Sequence, residues 1–216
     1  MSKKNILEHF ETIDTEEKAY WLGFLYADGN VHLNEDKVEL GLAEKDLHHI
    51  EKFKDFIGLP NKISYRPKTN SYRFSFRSKM LKADLIDKGC TPKKSLTLKF
   101  PTNQQVPKKL IRHFIRGYFD GDGWFTSTDK SLQLGFIGTL DFIQGVLKQL
   151  PHEMTLNKIH YVHPNQNKIP RRYLMSKKIY IAAFLIYMYK DAHIFLDRKY
   201  SHAISWLVSN GYQDFL

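Results

Sequence analysis

The sequence predicts an α+β protein of two pseudo-symmetric halves, each in the order αββαββα. Each half forms a four-stranded antiparallel sheet backed by helices, the two sheets together make a saddle, and two like helices pack at the centre. Three observations lead there. One stretch occurs twice, WLGFLYADG at 21–29 and IRGYFDGDG at 115–123, an apolar helical pattern that runs into an acid followed by glycine. The succession of helical and strand-like periods after the first copy recurs after the second. The spacing is kept as well: Asp28 and Asp122 lie 94 residues apart, as do Gly41-Leu42 and Gly135-Phe136, while Lys62-Ile63 and Lys158-Ile159 lie 96 apart. A period this long is that of a duplicated half, too long for a solenoid repeat.

Residues 1–13 read as a short helical lead-in. Asp14 or Thr15 caps the first motif helix, whose opening turn carries Glu16 and Glu17 at its positive end. After Gly29 come NVHLN and EDKVELGLAEKD, a hairpin turning near 34–36. Val31 and Leu33 point one way and Asn30, His32 and Asn34 the other, while Val38, Leu40 and Leu42 form the inward set of the second strand. Leu47, Ile50, Phe53 and Phe56 or Ile57 have helical spacing that ends at Gly58 and Pro60. A second hairpin has Ile63, Tyr65, Phe74 and Phe76 on its apolar side and Ser64, Arg66, Arg73, Ser75 and Arg77 on the other. A helix over about 79–88 stops at Gly89, and TPKKSLTLKFP is a linker.

Pro107 opens the second motif helix. WFTSTD with SLQLGFIG, then KIHYVHP with PRRYLMS, are its hairpins, separated by the helix LDFIQGVLKQL. KKIYIAAFLIYMY and LDRKYSHAISWL are helices, and the aromatic run at 180–189 is core packing by its helical period. The first half is placed at residues 1–97 and the second at 98–216, with the linker at about 90–106.

The motif helices carry the chemistry. Gly23 and Ala27 are four apart, as are Gly117 and Gly121, so each pair lies on one helix face. Faces without bulky side chains let two backbones approach. Packed on those faces, the helices bring Asp28 and Asp122 together at their negative ends, an arrangement that calls for a cation with oxygen ligands, Mg²⁺ or Ca²⁺. One acid–glycine pair alone reads as a helix stop or a turn; two in matching apolar helices point to a shared site.

These two stretches resemble the paired signatures of a monomeric LAGLIDADG homing endonuclease. The first copy departs from the name-giving pattern with Trp21 at its first position and Tyr26 where an earlier acid stands; the second keeps Asp120 there, and the final acid–glycine is intact in both. The resemblance spans roughly residues 15–206. It implies a monomeric, Mg²⁺-dependent enzyme of intron homing that hydrolyses phosphodiester bonds on both strands of a long pseudo-palindromic DNA target, with Ca²⁺ or Mn²⁺ substituting for binding. Asp28 and Asp122 are then the metal ligands and catalytic acids. The resemblance adds a basic residue near each acid, at Lys94 in PKKS and Lys199 in LDRKY, whose alternative is phosphate contact or solvated surface. Glu44 is a weaker candidate for positioning water.

Composition agrees with such a partner. Lys and Arg outnumber Asp and Glu by 33 to 23, a net charge of +10 that favours polyanions. No apolar run is long enough to span a membrane, the N-terminus lacks a signal-peptide core, and the single Cys90 excludes an intrachain disulfide and reads as an idle or buried thiol. An intracellular compartment that holds nucleic acid, cytoplasmic or organellar and nucleoid-associated, is expected. No Walker loop or dinucleotide fingerprint is present, and His160 with His163 alternate in a strand while His48-His49 read as solvated helix surface.

The polar sides of the hairpins mix Arg and Lys, which read guanine or phosphate, with Asn and Gln, which read adenine. A two-stranded ribbon fits the major groove. The candidate DNA-binding residues are Asn30, His32, Asn34, Ser64, Arg66, Arg73, Ser75 and Arg77 in the first half. In the second they are Trp124, Thr126, Thr128, Gln133, His160 and Arg171; Arg171 and Arg172 cannot share one face. A second reading is a cleavage-silent relative, an RNA maturase with intron RNA as partner or a DNA-binding regulator; two repelling carboxylates favour cleavage. A third, the insert of an intein, is weakened by a chain that starts at Met1 and ends in GYQDFL without splicing residues.

Overall fold

The computed structural model describes residues 9–151, 159–161 and 171–215. The first half runs α1 (Glu16–Asp28), β1 (Gly29–Val31), β2 (Lys37–Ala43), α2 (Leu47–Ile57), β3 (Ser64–Arg66), β4 (Ser71–Arg77) and α3 (Lys79–Asp87). The second runs α4 (Ile111–Asp122), β5 (Gly123–Thr128), β6 (Ser131–Gly138), α5 (Leu140–Leu147), β7 (Ile159–Tyr161), β8 (Arg171–Met175), α6 (Lys178–Tyr189) and α7 (Asp197–Ser209). The two sheets have the same topology, β1-β2-β4-β3 and β5-β6-β8-β7, with every pairing antiparallel. This is the α+β architecture expected, with α1 and α4 forming the most extensive helix contact. Among the described residues no helix is long and apolar enough to cross a membrane.

The local chemistry explains the boundaries. Thr15 is the N-cap of α1, its hydroxyl accepting from the Lys18 amide at 3.2 Å. Ser78 and Thr139 cap α3 and α5 in the same way. Helix α2 ends at Gly58 and the turn after α3 at Gly89, both at positive φ, where a side chain would be strained. Pro107 leads into a 3₁₀ turn (Lys108–Leu110), and α4 proper starts at Ile111. The segment between α3 and α4 is no loose linker: Lys94, Leu98 and Val106 are buried, and the Thr139 hydroxyl donates to the Leu98 carbonyl.

Strand alternation settles the two faces of each sheet. Val38, Leu40, Phe74 and Phe76 are buried against α2, with Ile50, Phe53 and Ile57. In the second half Leu134, Phe136, Tyr173 and Met175 are buried, and Phe125 packs edge-on against Trp206 of α7. Among the described residues the opposite faces carry no packed helix core, and they form the concave side.

The structure corrects several expectations. Strand β1 stops at Val31, so His32 and Asn34 sit in the turn and Leu33 is exposed instead of inward. Tyr65 is exposed because β3 is an edge strand. His49 is buried, not solvated: its Nε2 pairs with the Tyr20 hydroxyl at 2.9 Å, and burial depresses its pKa to about 3, so it is neutral. Helix α7 continues past Trp206 to Ser209. His163 and most of the expected lead-in fall outside the described residues.

The helix pair is held by glycine. A Cβ on Gly23 would overlap the Phe114 carbonyl oxygen and stand 3.0 Å from the Tyr118 amide; one on Gly117 would overlap the Tyr20 carbonyl oxygen and stand 2.9 Å from the Phe24 amide. Because both obstacles are backbone, Gly117→Ala has to push α1 and α4 apart. It is expected to destabilise the protein by about 3 kcal/mol, the upper end for overpacking, read as a lower urea midpoint; an unchanged midpoint refutes the close approach.

Candidate functional site

Asp28 and Asp122 are the last residues of α1 and α4, and each is followed directly by the edge strand of its sheet. At this end Ala27 faces Gly121, where a Cβ would lie 3.2 Å from Asp28 Oδ2. The carboxylate of one motif thus leans against the backbone of the other. The pairing of helices expected from the glycine and alanine faces is therefore present, and with it the convergence of the two acids.

The electrostatics of this point are unfavourable without a cation. Two carboxylates share it with the negative ends of two helices. Burial, then the Asp122 charge, pushes the Asp28 pKa from 3.8 up to about 6, with Lys199 and Lys94 opposing. Burial also raises Asp122, against the same two lysines.

Those lysines reach the site from outside the motif helices and take equivalent places. Lys94 Nζ donates to the Gly29 carbonyl, and Lys199 Nζ donates to Gly123 at 2.5 Å and to Phe119 at 2.7 Å. They cap the carbonyls at the ends of α1 and α4, the Phe119 oxygen accepting from the Gly123 amide as well. Their charge reaches the carboxylates through space while their protons are spent on the backbone. Burial pulls Lys199 down to about 8 even though Asp120, Asp28 and Asp122 favour its charged form.

A buried layer behind the site fixes the lysines. Asp120 accepts from the Tyr20 hydroxyl at 2.8 Å, the Tyr189 hydroxyl at 2.7 Å and the Leu196 amide at 2.7 Å, three residues before Lys199. Burial still raises its pKa. Arg116, wholly buried, donates to the carbonyls of Ile194 (2.9 Å) and Met188 (2.8 Å) and to Glu16 at 2.6 Å. In α1 the position equivalent to Asp120 is Tyr26, whose hydroxyl donates to the Lys88 carbonyl at 2.5 Å, at the start of the segment that carries Lys94. The departure noted in the first motif therefore keeps the connection and changes its chemistry.

The concave face of the first sheet follows from its register. Asn30 stands opposite Glu39 and Glu39 opposite Ser75, Gly41 and Ser64 flank Arg73, Lys37 stands opposite Arg77, and Arg66 opposite Ser71. Asn30, Ser64, Arg66 and Arg77 are exposed, Arg73 and Ser75 half-buried. Arg77 pairs with Glu35 at 2.5 Å, and Asn30 Nδ2 meets His32 Nε2 at 3.2 Å. In the second sheet Trp124, Thr126 and Thr128 stand opposite Gly135, Gln133 and Ser131, as expected for one face. Arg172 is the exception to the reading of that sheet: it, and not Arg171, stands opposite His160 and Ile137 on the concave side and is exposed, whereas position 171 alternates to the face of Tyr173. Glu44 directly follows β2, its Oε2 accepting from Asn70 Nδ2 at 3.0 Å.

Glu39 and Arg116 escaped the sequence reading of the site, as did the hydrogen bond from Tyr26 to Lys88. The alternation that turns Val38 and Leu40 inward also turns Glu39 outward, so its signal was present; the tie from Tyr26 to Lys88 had none.

No family model matches this chain. A curated relative, the probable translation initiation factor IF-2 of Methanocaldococcus jannaschii, is 26 % identical over 161 residues, covering 71 % of this chain; the chain spans 13 % of that protein's length. Among solved structures, the meganuclease I-SmaMI bound to uncleaveable DNA superposes over 100 % of this chain and 94 % of its own, with a TM-score of 0.61 at 12 % identity. The I-LtrWI LAGLIDADG homing endonuclease bound to target DNA covers 96 % of this chain and 92 % of its own, with a TM-score of 0.55 at 12 % identity. The chain has the fold of the two-motif LAGLIDADG homing endonucleases.

A carboxyl whose folded pKa exceeds its unfolded value binds more protons when folded, so it weakens stability as pH rises through the interval between the two. For Asp28 that interval runs from 3.8 to about 6. In chelator-treated protein the unfolding free energy is expected to fall across it. Asp28→Asn reduces the fall by roughly 2 kcal/mol, because moving an ionisation by one pH unit is worth about 1.4 kcal/mol. Denaturation series at pH 4.5 and 7 measure the difference. An undiminished slope in the variant would show that Asp28 is not held above its ordinary pKa.

Proposed function

We propose that this chain is a monomeric, site-specific double-strand DNA endonuclease that works with a divalent cation, Mg²⁺ in its ordinary setting. The convergence of Asp28 and Asp122, one from each half, at the junction of two polar concave sheets carries the reading. The likeness to proteins solved on DNA supports it.

The residues fit a hard cation. Asp28 and Asp122 offer oxygen ligands, and both carboxylates carry raised pKa values that an added positive charge would relieve. Asp28 and Asp122 would hold the metal, and backbone oxygens, water and substrate phosphate would fill the other positions. Bound there, a divalent ion activates water and neutralises charge on the attacked phosphate.

The chain's own groups do the rest. Two acids related by a pseudo-twofold axis serve one phosphate on each strand. Lys94 and Lys199 hold the helix ends rigid and add positive field beside the scissile groups. The concave faces grip the duplex and set which phosphates reach the acids, and the net charge of +10 supplies a salt-sensitive attraction. Residues 1–97 would serve one half-site and 98–216 the other.

Incubation with a randomised duplex library and Mg²⁺ is expected to yield a single preferred cut site. Asp28→Asn or Asp122→Asn then lowers double-strand cutting at least about a hundredfold, the scale of losing one transition-state contact, with binding in Ca²⁺ retained. Metal-independent retention of RNA or DNA without cutting would transfer the protein to the cleavage-silent, maturase-like class.

The affinity of the selected duplex, measured as log Kd against log salt, is expected to be linear and steep, about 0.9 per phosphate neutralised. A flat dependence contradicts a phosphate-gripping saddle.

A further inference from the structure

Helices α2 and α5 stand at equivalent places, each following the first hairpin of its half, and their N-caps are Asp46 and Thr139. Aspartate is among the residues best suited to cap a helix, yet the Asp46 side chain makes no bond to its own helix. Both its oxygens accept instead from Arg198, Oδ1 from Nε at 2.7 Å and Oδ2 from Nη2 at 3.0 Å, across 152 residues of chain. The Asp46 side chain is 7 % exposed and that of Arg198 44 %. A buried carboxylate of the first half is thus spent on a partly open guanidinium of the second.

Arg198 is the residue before Lys199, in the first turn of α7. The first half grips that turn again through Lys52 of α2, whose Nζ donates to Asp197 Oδ1 at 2.7 Å. A guanidinium held by two parallel hydrogen bonds is fixed in orientation as well as distance. One residue on, Lys199 Nζ meets the carbonyls of Phe119 and Gly123.

Thr139 does the converse with neutral groups. Its hydroxyl accepts from the Phe142 amide at 3.1 Å, as a cap should, and also donates to the Leu98 carbonyl. The Leu98 amide donates to the Lys94 carbonyl at 2.8 Å, closing the turn from which Lys94 Nζ reaches Gly29. The cap of α5 in the second half therefore holds the segment of Lys94, and the cap of α2 in the first half holds that of Lys199.

We infer that, given the nuclease reading on which this rests, Asp46 and Thr139 are positioning residues that act crosswise: Asp46 sets Lys199 through Arg198, and Thr139 sets Lys94 through Leu98. Neither lysine is then placed by its own half alone, and each strand's cut depends on how the two halves are docked. The two dependences differ in kind, an ion pair on the Lys199 side and a hydroxyl on the Lys94 side.

The test uses the full chain, a duplex selected from the randomised library and Mg²⁺, with each strand end-labelled so that the two cuts are timed separately. Lys199→Met and Lys94→Met identify the strand that each lysine serves. Asp46→Ala is expected to slow the Lys199 strand at least about tenfold, within the roughly hundredfold cost of a 1 Å misplacement, and the other strand less than about twofold. Thr139→Val is expected to bias cutting the opposite way. Arg198→Lys, which keeps the charge but not the fork, gives the bias of Asp46→Ala in milder form. Thr139→Ser, which keeps the hydroxyl, retains the wild-type ratio. A general loss of stability slows both strands together, so opposite biases separate positioning from it. Equal slowing of the strands, a bias toward one strand in both variants, or a bias that does not follow the lysines overturns the inference and leaves the nuclease reading intact. Failure of the unaltered chain to cut any duplex removes both.

Discussion

The contact between α1 and α4 at Gly23 and Gly117 is the constraint on which the other features rest. Each glycine faces carbonyl and amide groups of the opposite helix, not side chains, so neither site can yield by a rotamer change. The two contacts are also reciprocal: Gly23 meets Phe114 and Tyr118, and Gly117 meets the equivalent Tyr20 and Phe24. A pair of helices joined in this way has one register only. That register brings Ala27 to Gly121 and both aspartates to one point.

Concentrating negative charge there lowers stability, and the molecule answers with lysines brought from far along the chain. Lys94 comes from the packed segment between the halves and Lys199 from the start of α7. Each ends on the carbonyl of the glycine that follows a motif aspartate. Each is tied to its motif helix by a different device, a tyrosine hydroxyl in α1 and a buried carboxylate with three donors in α4. The duplication has kept the geometry while the chemistry of its supports has drifted. Even so, burial keeps both carboxylates above their ordinary pKa, so the two lysines offset the concentrated charge only in part.

The same separation of geometry from chemistry runs through the sheets. Equal strand orders give the two concave faces a common frame, but the residues in it differ: Gly29 pairs with Leu40 and Gly123 with Phe136, so Gly135 takes the place of Glu39 while Arg172 takes that of Arg73.

Much of this was legible from residue order because its causes are local. Periodicity marks helices and strands, small residues four apart mark a face that can be approached, and the repeat of the whole pattern after 94 residues implies two related halves. The acids were marked by the repeated motif, and the two lysines came only from the family resemblance. What tertiary structure alone decided depended on partners distant in the chain. Whether Arg171 or Arg172 meets the concave side is set by pairing with β6, because a shift of one residue exchanges the faces. His49 is buried because Tyr20 of α1 lies against it, and Tyr26 ties α1 to Lys88, contacts over 29 and 62 residues that no local pattern encodes. Composition and spacing say which side chains are available to a site; only the packing of one half on the other determines where their protons and charges are directed.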